Sequence, residues 1–357
     1  MVRICVALWL CCLFTIPAVP QSQSQPQPPA AQDDPSARIR VSVNEVIVPV
    51  TVTDDKGRFV SNLEAKDFRI LDEGQPQRIR FFSHDQRQPI VVGFLVDMSN
   101  NTKIHWNTFK DAILELMWNL LPGDARYSGY LITYTNEAEV AVNTTTDSEK
   151  LAERVRKLKP GGGAALFDAV YAACTNRDLI KGEPYEPRRI IVVVGDGHDN
   201  ASKKSMEEVL ELAQRNLVTV YAISTMAFGF ANEDQGVLEK LAAETGGHVE
   251  YPLNSGLYKS VSGYLSNPSD DGNYALTVGT GGYAAEISRG IITAIAGISG
   301  EITTQYVLRY TPDVDVDPKL KVFRKIKVEV PSLPTVVIRA RKGYYPSGVP
   351  GALASGQ

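Results

Sequence analysis

Two aspartates close apolar runs in this chain. Asp97 follows "PIVVGFLV" and opens "DMSNN"; Asp196 follows "RRIIVVVG" and opens "DGHDN". Between them lies the glycine-rich stretch "GGGAALFD", residues 161–168. A carboxylate at the end of a buried strand needs an opposite charge, several backbone N–H groups or a metal. Asp97, Asp196 and the polar side chains of "DMSNN" carry oxygens suited to a hard cation such as Mg²⁺, which takes an octahedron of oxygens and keeps some of its waters. The same residue types also build turns, with Asp and Asn accepting backbone N–H bonds two or three residues on. Residue type alone leaves both readings open.

Other chemistry is sparse. His198 stands between Asp196 and Asp199, which invites a hydrolase reading, but no G-x-S-x-G elbow or other placed serine accompanies it. The triple glycine lacks the lysine and the strand context of a phosphate loop. His84, His105 and His248 have no metal-ligand spacing and are expected at the surface or satisfied locally. Asp168 falls just inside a helix start, where a carboxylate suits the helix dipole, so a capping role is expected. Cys174 follows "DAVYAA" on a helical pattern and reads as a buried structural thiol. "NNT", "NTT" and "NAS" match the N-glycosylation pattern and decide nothing.

The chain has 357 residues, of which 43% are hydrophobic and 22% charged, with a formal net charge of -4. No basic block is present, which argues against nucleic acid as a principal partner. Residues 1–20 read as a signal peptide. Arg3 supplies the positive start, residues 4–15 the apolar run, and Pro17 and Pro20 its end. That run is too short to cross a bilayer, and "GIITAIAGISG", 290–300, is too short and too glycine-rich, so no membrane span is expected in the mature chain. "LWL" before Cys11 and Cys12 lacks the small residue a lipidation site prefers. Residues 21–38, polar and proline-rich, read as a disordered linker. A secreted or periplasmic protein is expected, whose mature part keeps only Cys174 of the four cysteines and so has no internal disulfide.

The elements that would position the aspartates follow from periodicity. Residues 39–86 read as short strands: Val46, Val48, Val50 and Val52 alternate with mostly polar neighbours, Pro49 suggests a sheet edge, and "FRIL" and "QRIRFF" flank a hairpin loop at "DEGQP". From residue 89 to 303, near-continuous apolar strands alternate with amphipathic helices. This is the signature of an α/β fold with a doubly wound, mostly parallel sheet. "EVAVNTTT" is more polar and reads as an edge strand. Residues 254–282 predict a loop insertion, 284–302 a helix, 304–345 further strands, and 346–357 a flexible tail. Neither terminal strand set covers its own apolar face. One small β-sandwich built from both ends is therefore expected, with the α/β domain inserted between them. Ligands of such sheets bind where loops leave the carboxyl ends of strands, which is where Asp97 and Asp196 stand.

On these residues, with "VPVTVTDDKGRFVSNLEAKDFRILDEG" before the α/β region and "QYVLRYTPD" and "FRKIKVEV" after it, residues 40–345 resemble von Willebrand factor type A domain proteins, in particular a bacterial, exported group of acidobacterial type. The resemblance implies a metal-ion-dependent adhesion site with D-x-S-x-S on the first loop, Thr on the second and Asp on the third, the metal taking its last ligand from a partner's carboxylate. Asp97, Ser99 and Asp196 match that pattern. Asn101 replaces the second serine, and Ala164 stands where the threonine belongs. The implied function is a non-enzymatic protein-binding or adhesion module with a degenerate site that holds Mg²⁺ or Mn²⁺ weakly. The alternatives are a metal-independent envelope scaffold or assembly protein and, third, a hydrolase.

Overall fold

The protein is described here from a computed structural model, in residues 45–84, 89–179, 188–225, 233–252, 281–312 and 322–346. The expected signal peptide, the linker, the insertion as far as residue 280 and the tail from residue 347 lie outside the described residues.

The chain begins with β1 (Val46–Thr53), β2 (Arg69–Asp72), β3 (Gln75–Gln77) and β4 (Ile79–Ser83). The hairpin is tighter than expected. Glu73 and Gly74 both hold positive φ, 49° and 79°, as a two-residue type I′ turn requires, so Gln75–Gln77 already pairs with β2. "QRIRFF" is consequently not one strand. It breaks at Arg78, and β4 crosses to the other sheet of the sandwich.

The α/β region follows. Its elements are β5 (Ile90–Asp97), α1 (Trp106–Leu120), β6 (Tyr127–Tyr134), β7 (Ala138–Thr145), α2 (Ser148–Arg156), α3 (Leu166–Thr175), β8 (Arg188–Gly195), α4 (Met206–Arg215), β9 (Thr219–Ser224), α5 (Glu233–Thr245), β10 (Val249–Glu250) and α6 (Gly281–Thr304). The sheet order is β10-β9-β8-β5-β6-β7, parallel except for the antiparallel β7 at one edge. Every residue of β5 is buried, because both faces are covered. Ile90, Val92, Phe94 and Val96 join a core with α1, α2 and α6, whereas Val91 and Leu95 join one with α3, α4 and α5. Cys174 is buried in the second core, as expected of a structural thiol.

The C-terminal strands are β11 (Tyr306–Tyr310), β12 (Arg324–Glu329), β13 (Val337–Ala340) and β14 (Gly343–Tyr344). They interleave with the N-terminal ones in two antiparallel sheets, β13-β1-β11-β4 and β14-β12-β2-β3. The sandwich is thus shared by both ends of the chain. Its core holds Val48, Val50, Ile70, Leu308 and Tyr310.

Pro49 is not on an edge strand. β1 lies inside its sheet; Pro49 faces Val307 of β11, and pairing with β13 begins only at Val50, so the missing N–H falls outside that ladder. Nor is β1 half-buried, since Ile47, Thr51 and Thr53 are covered too. On that face Gln305 Nε2 donates both to Thr51 Oγ1 at 3.3 Å and to Tyr221 Oη of β9 at 3.0 Å, tying the sandwich to the parallel sheet.

Candidate functional site

The register places the two aspartates. Val96 pairs with Val194, so the loops after β5 and β8 leave the sheet side by side. Asp97 is 1% exposed and its Oδ1 accepts from the Ser99 backbone N–H at 2.7 Å. Its Oδ2 has no partner, and the buried Ser99 Oγ has none either. Thr102 Oγ1 donates to the Ser99 carbonyl at 2.9 Å, which fixes the short helical turn Asn100–His105 beneath the loop. Asp196 is half-buried. Its Oδ1 accepts from the His198 backbone at 2.9 Å and its Oδ2 from Asn101 Nδ2 at 3.0 Å.

The glycine-rich loop closes the group. Asn100 N–H donates to the Gly162 carbonyl at 3.1 Å, and Gly161 N–H to the Met98 carbonyl at 2.6 Å. Asn200 accepts the Ala164 N–H through Oδ1 at 2.9 Å and returns its own N–H to the Ala164 carbonyl at 2.9 Å. Asn136, from the turn after β6, accepts the Gly163 N–H at 2.7 Å. Asp199 Oδ2 accepts from Phe167 N–H at 2.8 Å and from Ser202 Oγ at 2.6 Å, capping α3 from the third loop. Asp168 differs from its expected role. It lies in the first turn of α3, but its carboxylate reaches across to the Lys203 and Lys204 N–H groups at 3.1 Å, so it ties α3 to the segment before α4.

The family comparison agrees with this arrangement of loops on a parallel sheet: the matched family is described as von Willebrand factor type A domain, and the match runs from residue 92 to 259. Residues 92–259 form a von Willebrand factor type A domain. Such A domains are generally non-enzymatic interaction modules, and they commonly bind Mg²⁺ or Mn²⁺ at a metal-ion-dependent adhesion site. No curated protein matches the chain. Among solved structures, the conserved hypothetical protein BatB from Bacteroides thetaiotaomicron is 16% identical, with 51% of this chain and 100% of that one covered and a TM-score of 0.37. A von Willebrand factor type A protein from Catenulispora acidiphila is 12% identical over 70% and 50% of the two chains, with a TM-score of 0.41. The von Willebrand domain of the type V pili tip protein Mfa5 from Porphyromonas gingivalis is 19% identical over 32% and 39%, with a TM-score of 0.29.

Within the A domain, burial dominates the electrostatics of Asp97. Desolvation pushes its pKa up to about 7, the Ser99 backbone N–H pulls it back, and the neighbouring Asp196 charge raises it again. Ser99 Oγ is near enough to temper the Asp97 charge, yet it completes no hydrogen bond with good geometry. Asn101 turns its amide nitrogen, not its oxygen, towards Asp196. Ala164 is wholly buried and offers only a methyl group. Among the described residues no three His, Cys, Asp or Glu side chains converge as a metal cluster.

Sequence reasoning found Asp97, Ser99, Asn101 and Asp196, which the fold brings together. It missed Tyr134, at the carboxyl end of β6. Tyr134 is 1% exposed and its Oη has no partner. The signal was a tyrosine closing the run "YLITY" at the same sheet edge as Asp97. His248, expected at the surface or satisfied locally, is half-buried and paired. His248 Nε2 meets Glu250 Oε1 at 2.9 Å, and Nδ1 lies 3.0 Å from Glu301 Oε2, off the line of a well-formed hydrogen bond. His84 is satisfied by the Thr304 carbonyl at 3.1 Å and stacks on Tyr306. The side chain of His105 lies outside the described residues.

Proposed function

We propose that this chain is an exported, non-enzymatic protein-binding module, and that its A domain presents a weakened divalent-cation site to a carboxylate of a protein partner. Asp97, Ser99 and Asp196, with Asn101 once its amide turns to present oxygen, would hold a water-rich Mg²⁺ or Mn²⁺. The observation that carries this reading is the pair of buried, unpartnered oxygens, Asp97 Oδ2 and Ser99 Oγ, side by side with the Asp196 loop. Buried polar atoms without partners are rare, and a hydrated hard cation satisfies oxygens of this kind. The methyl of Ala164 and the amide of Asn101 weaken a site that demands near-octahedral geometry.

A second reading, a metal-independent envelope scaffold, draws support from the Asn101–Asp196 hydrogen bond, which latches the first loop to the third without a metal. Thermal melts separate the two. Millimolar MgCl₂ or MnCl₂ should raise the melting temperature slightly relative to chelator, by the term RT ln(1 + [L]/Kd), about 1.4 kcal/mol when ligand is tenfold above Kd. The variant Asn101→Ser with Ala164→Thr should respond more strongly. No response in either protein rejects the cation site and favours the scaffold. Recovery of the protein outside the cytoplasm, shortened at its N-terminus, would support export; an intact Met1 on a cytosolic protein would reject it.

A further inference from the structure

The unpartnered hydroxyl of Tyr134 belongs to the same hollow as Asp97. β5 and β6 pair Asp97 with Tyr134, and the Met98 N–H bonds to the Tyr134 carbonyl at 3.0 Å. The tyrosine side chain reaches past β5 to Gly195, the last residue of β8. A methyl group on Gly195 would stand 2.5 Å from Tyr134 Oη, 2.8 Å from Asp97 Cβ and 3.3 Å from Asp97 Oδ2. Any residue other than glycine would fill that space. Three buried oxygens, Asp97 Oδ2, Ser99 Oγ and Tyr134 Oη, thus lack partners at one end of adjacent strands, while Ala164 supplies no oxygen.

We propose that Tyr134 is a positioning residue for the divalent cation, its hydroxyl standing in for the one Ala164 lacks by holding a cation-bound water against Asp97 Oδ2. A water on a divalent cation is a strong donor and needs acceptors on its far side. Such a water gives one proton to the phenol oxygen and the other to Asp97 Oδ2, so both orphaned atoms are satisfied together. This inference rests on the cation reading above.

Titration calorimetry with MnCl₂ on the full chain tests it. Tyr134→Phe keeps the ring and removes only the hydroxyl. Its Kd for Mn²⁺ should rise about tenfold, as loss of groups that orient a metal's ligands typically does. Adding Ala164→Thr should raise the affinity by a larger factor in Tyr134→Phe than in the natural protein, because the two hydroxyls would serve one role; equal factors in the two backgrounds count against the inference. The metal-free melting temperature of Tyr134→Phe should be unchanged or higher, because the hydroxyl has no protein partner to lose. Equal Mn²⁺ affinity in the natural protein and Tyr134→Phe overturns the inference and leaves the cation site standing. No Mn²⁺ binding by the natural protein or by Asn101→Ser with Ala164→Thr removes both. Should Tyr134→Phe fail to fold, the natural protein carrying fluorotyrosine decides: substoichiometric Mn²⁺ should broaden one of the 15 tyrosine fluorine resonances far more than the others. Uniform broadening counts against it.

Discussion

Asp97 makes the A domain sensitive to pH in a direction opposite to most acidic groups. Its pKa is about 7 in the folded chain against an ordinary value of 3.8, so below pH 3.8 it is protonated in both states and contributes nothing. As pH rises towards 7 the unfolded chain ionises first, and folding loses stability until both states are ionised. At 1.36 kcal/mol per pKa unit the full cost is about 4 kcal/mol in metal-free protein. Asn in place of Asp97 keeps an oxygen for the Ser99 N–H and removes the charge. With chelator present, Asp97→Asn should therefore gain stability over the natural protein, from near zero at pH 4 to a plateau above pH 7. Urea midpoints across that range give the answer, and a pH-independent difference rejects the buried carboxylate as its source. At this scale the place of the aspartates was legible, because a charge closing an apolar run marks where the chain leaves the buried sheet; the choice between capping a turn and holding a cation was not, since the same residues serve both. Tyr134 was not, since a tyrosine in such a run reads as core, and only the register to Asp97 and the bare Gly195 reveal its hydroxyl. The direction of the Asn101 amide is likewise set by Asp196, 95 residues away in sequence.

The elements meet at a buried charge cluster where α6 ends. Glu301, fully buried, faces Arg339 of β13, with Nη2 to Oε2 at 2.8 Å, and accepts from Tyr221 Oη of β9 at 3.3 Å, while His248 stands beside it at the start of β10. Burial alone would lower the His248 pKa, but its bond to Glu250 and the adjacent Glu301 carboxylate overcome this and raise it to about 9. Burial opposes ionisation of Glu301 too, and His248 and Arg339 nevertheless hold its pKa below the usual range. The histidine's contribution is complete below its unfolded value of 6.5 and is lost as pH rises through about 9. That of Glu301 is present above 4.5 and is lost as pH falls below it. Glu301→Gln leaves two cations facing a neutral amide, and at pH 7 it should cost about 3 kcal/mol by urea unfolding. The deficit should narrow above pH 9, where His248 is neutral in either protein; a constant deficit would exclude the histidine from the cluster. Sequence periodicity predicted the helix 284–302 and the strand containing Arg339. It gave no hint that Glu301 is buried, because a glutamate near a helix end usually faces water and its partners lie 38 and 53 residues away along the chain.

For the molecule as a whole, the strands at the two ends depend on each other, which was legible because each set alone would leave an apolar face in water. The exchange of strands between sheets was not, since the turn at Glu73-Gly74 and the break at Arg341 are decided by which sheet each piece can pair with. β1 pairs with β11 on one side and β13 on the other, both from the C-terminal part. Asp72, the last residue of β2 and fully buried, accepts from Tyr310 Oη and Tyr344 Oη, each at 2.9 Å, and from Arg324 Nε at 3.0 Å. All three donors come from C-terminal strands. A chain ending at residue 303 would lose them together with both neighbours of β1. It would then carry a bare carboxylate and the apolar faces of Val48, Val50 and Ile70 into solvent. The truncated chain should be markedly less soluble and less stable to urea than the full chain. Asp72→Ala in the full chain isolates the carboxylate's share. It strands two tyrosine hydroxyls and the Arg324 guanidinium and should cost about 3 kcal/mol. If the chain ending at 303 stays soluble and unfolds in urea at the full chain's midpoint, the sandwich is not shared by the two ends.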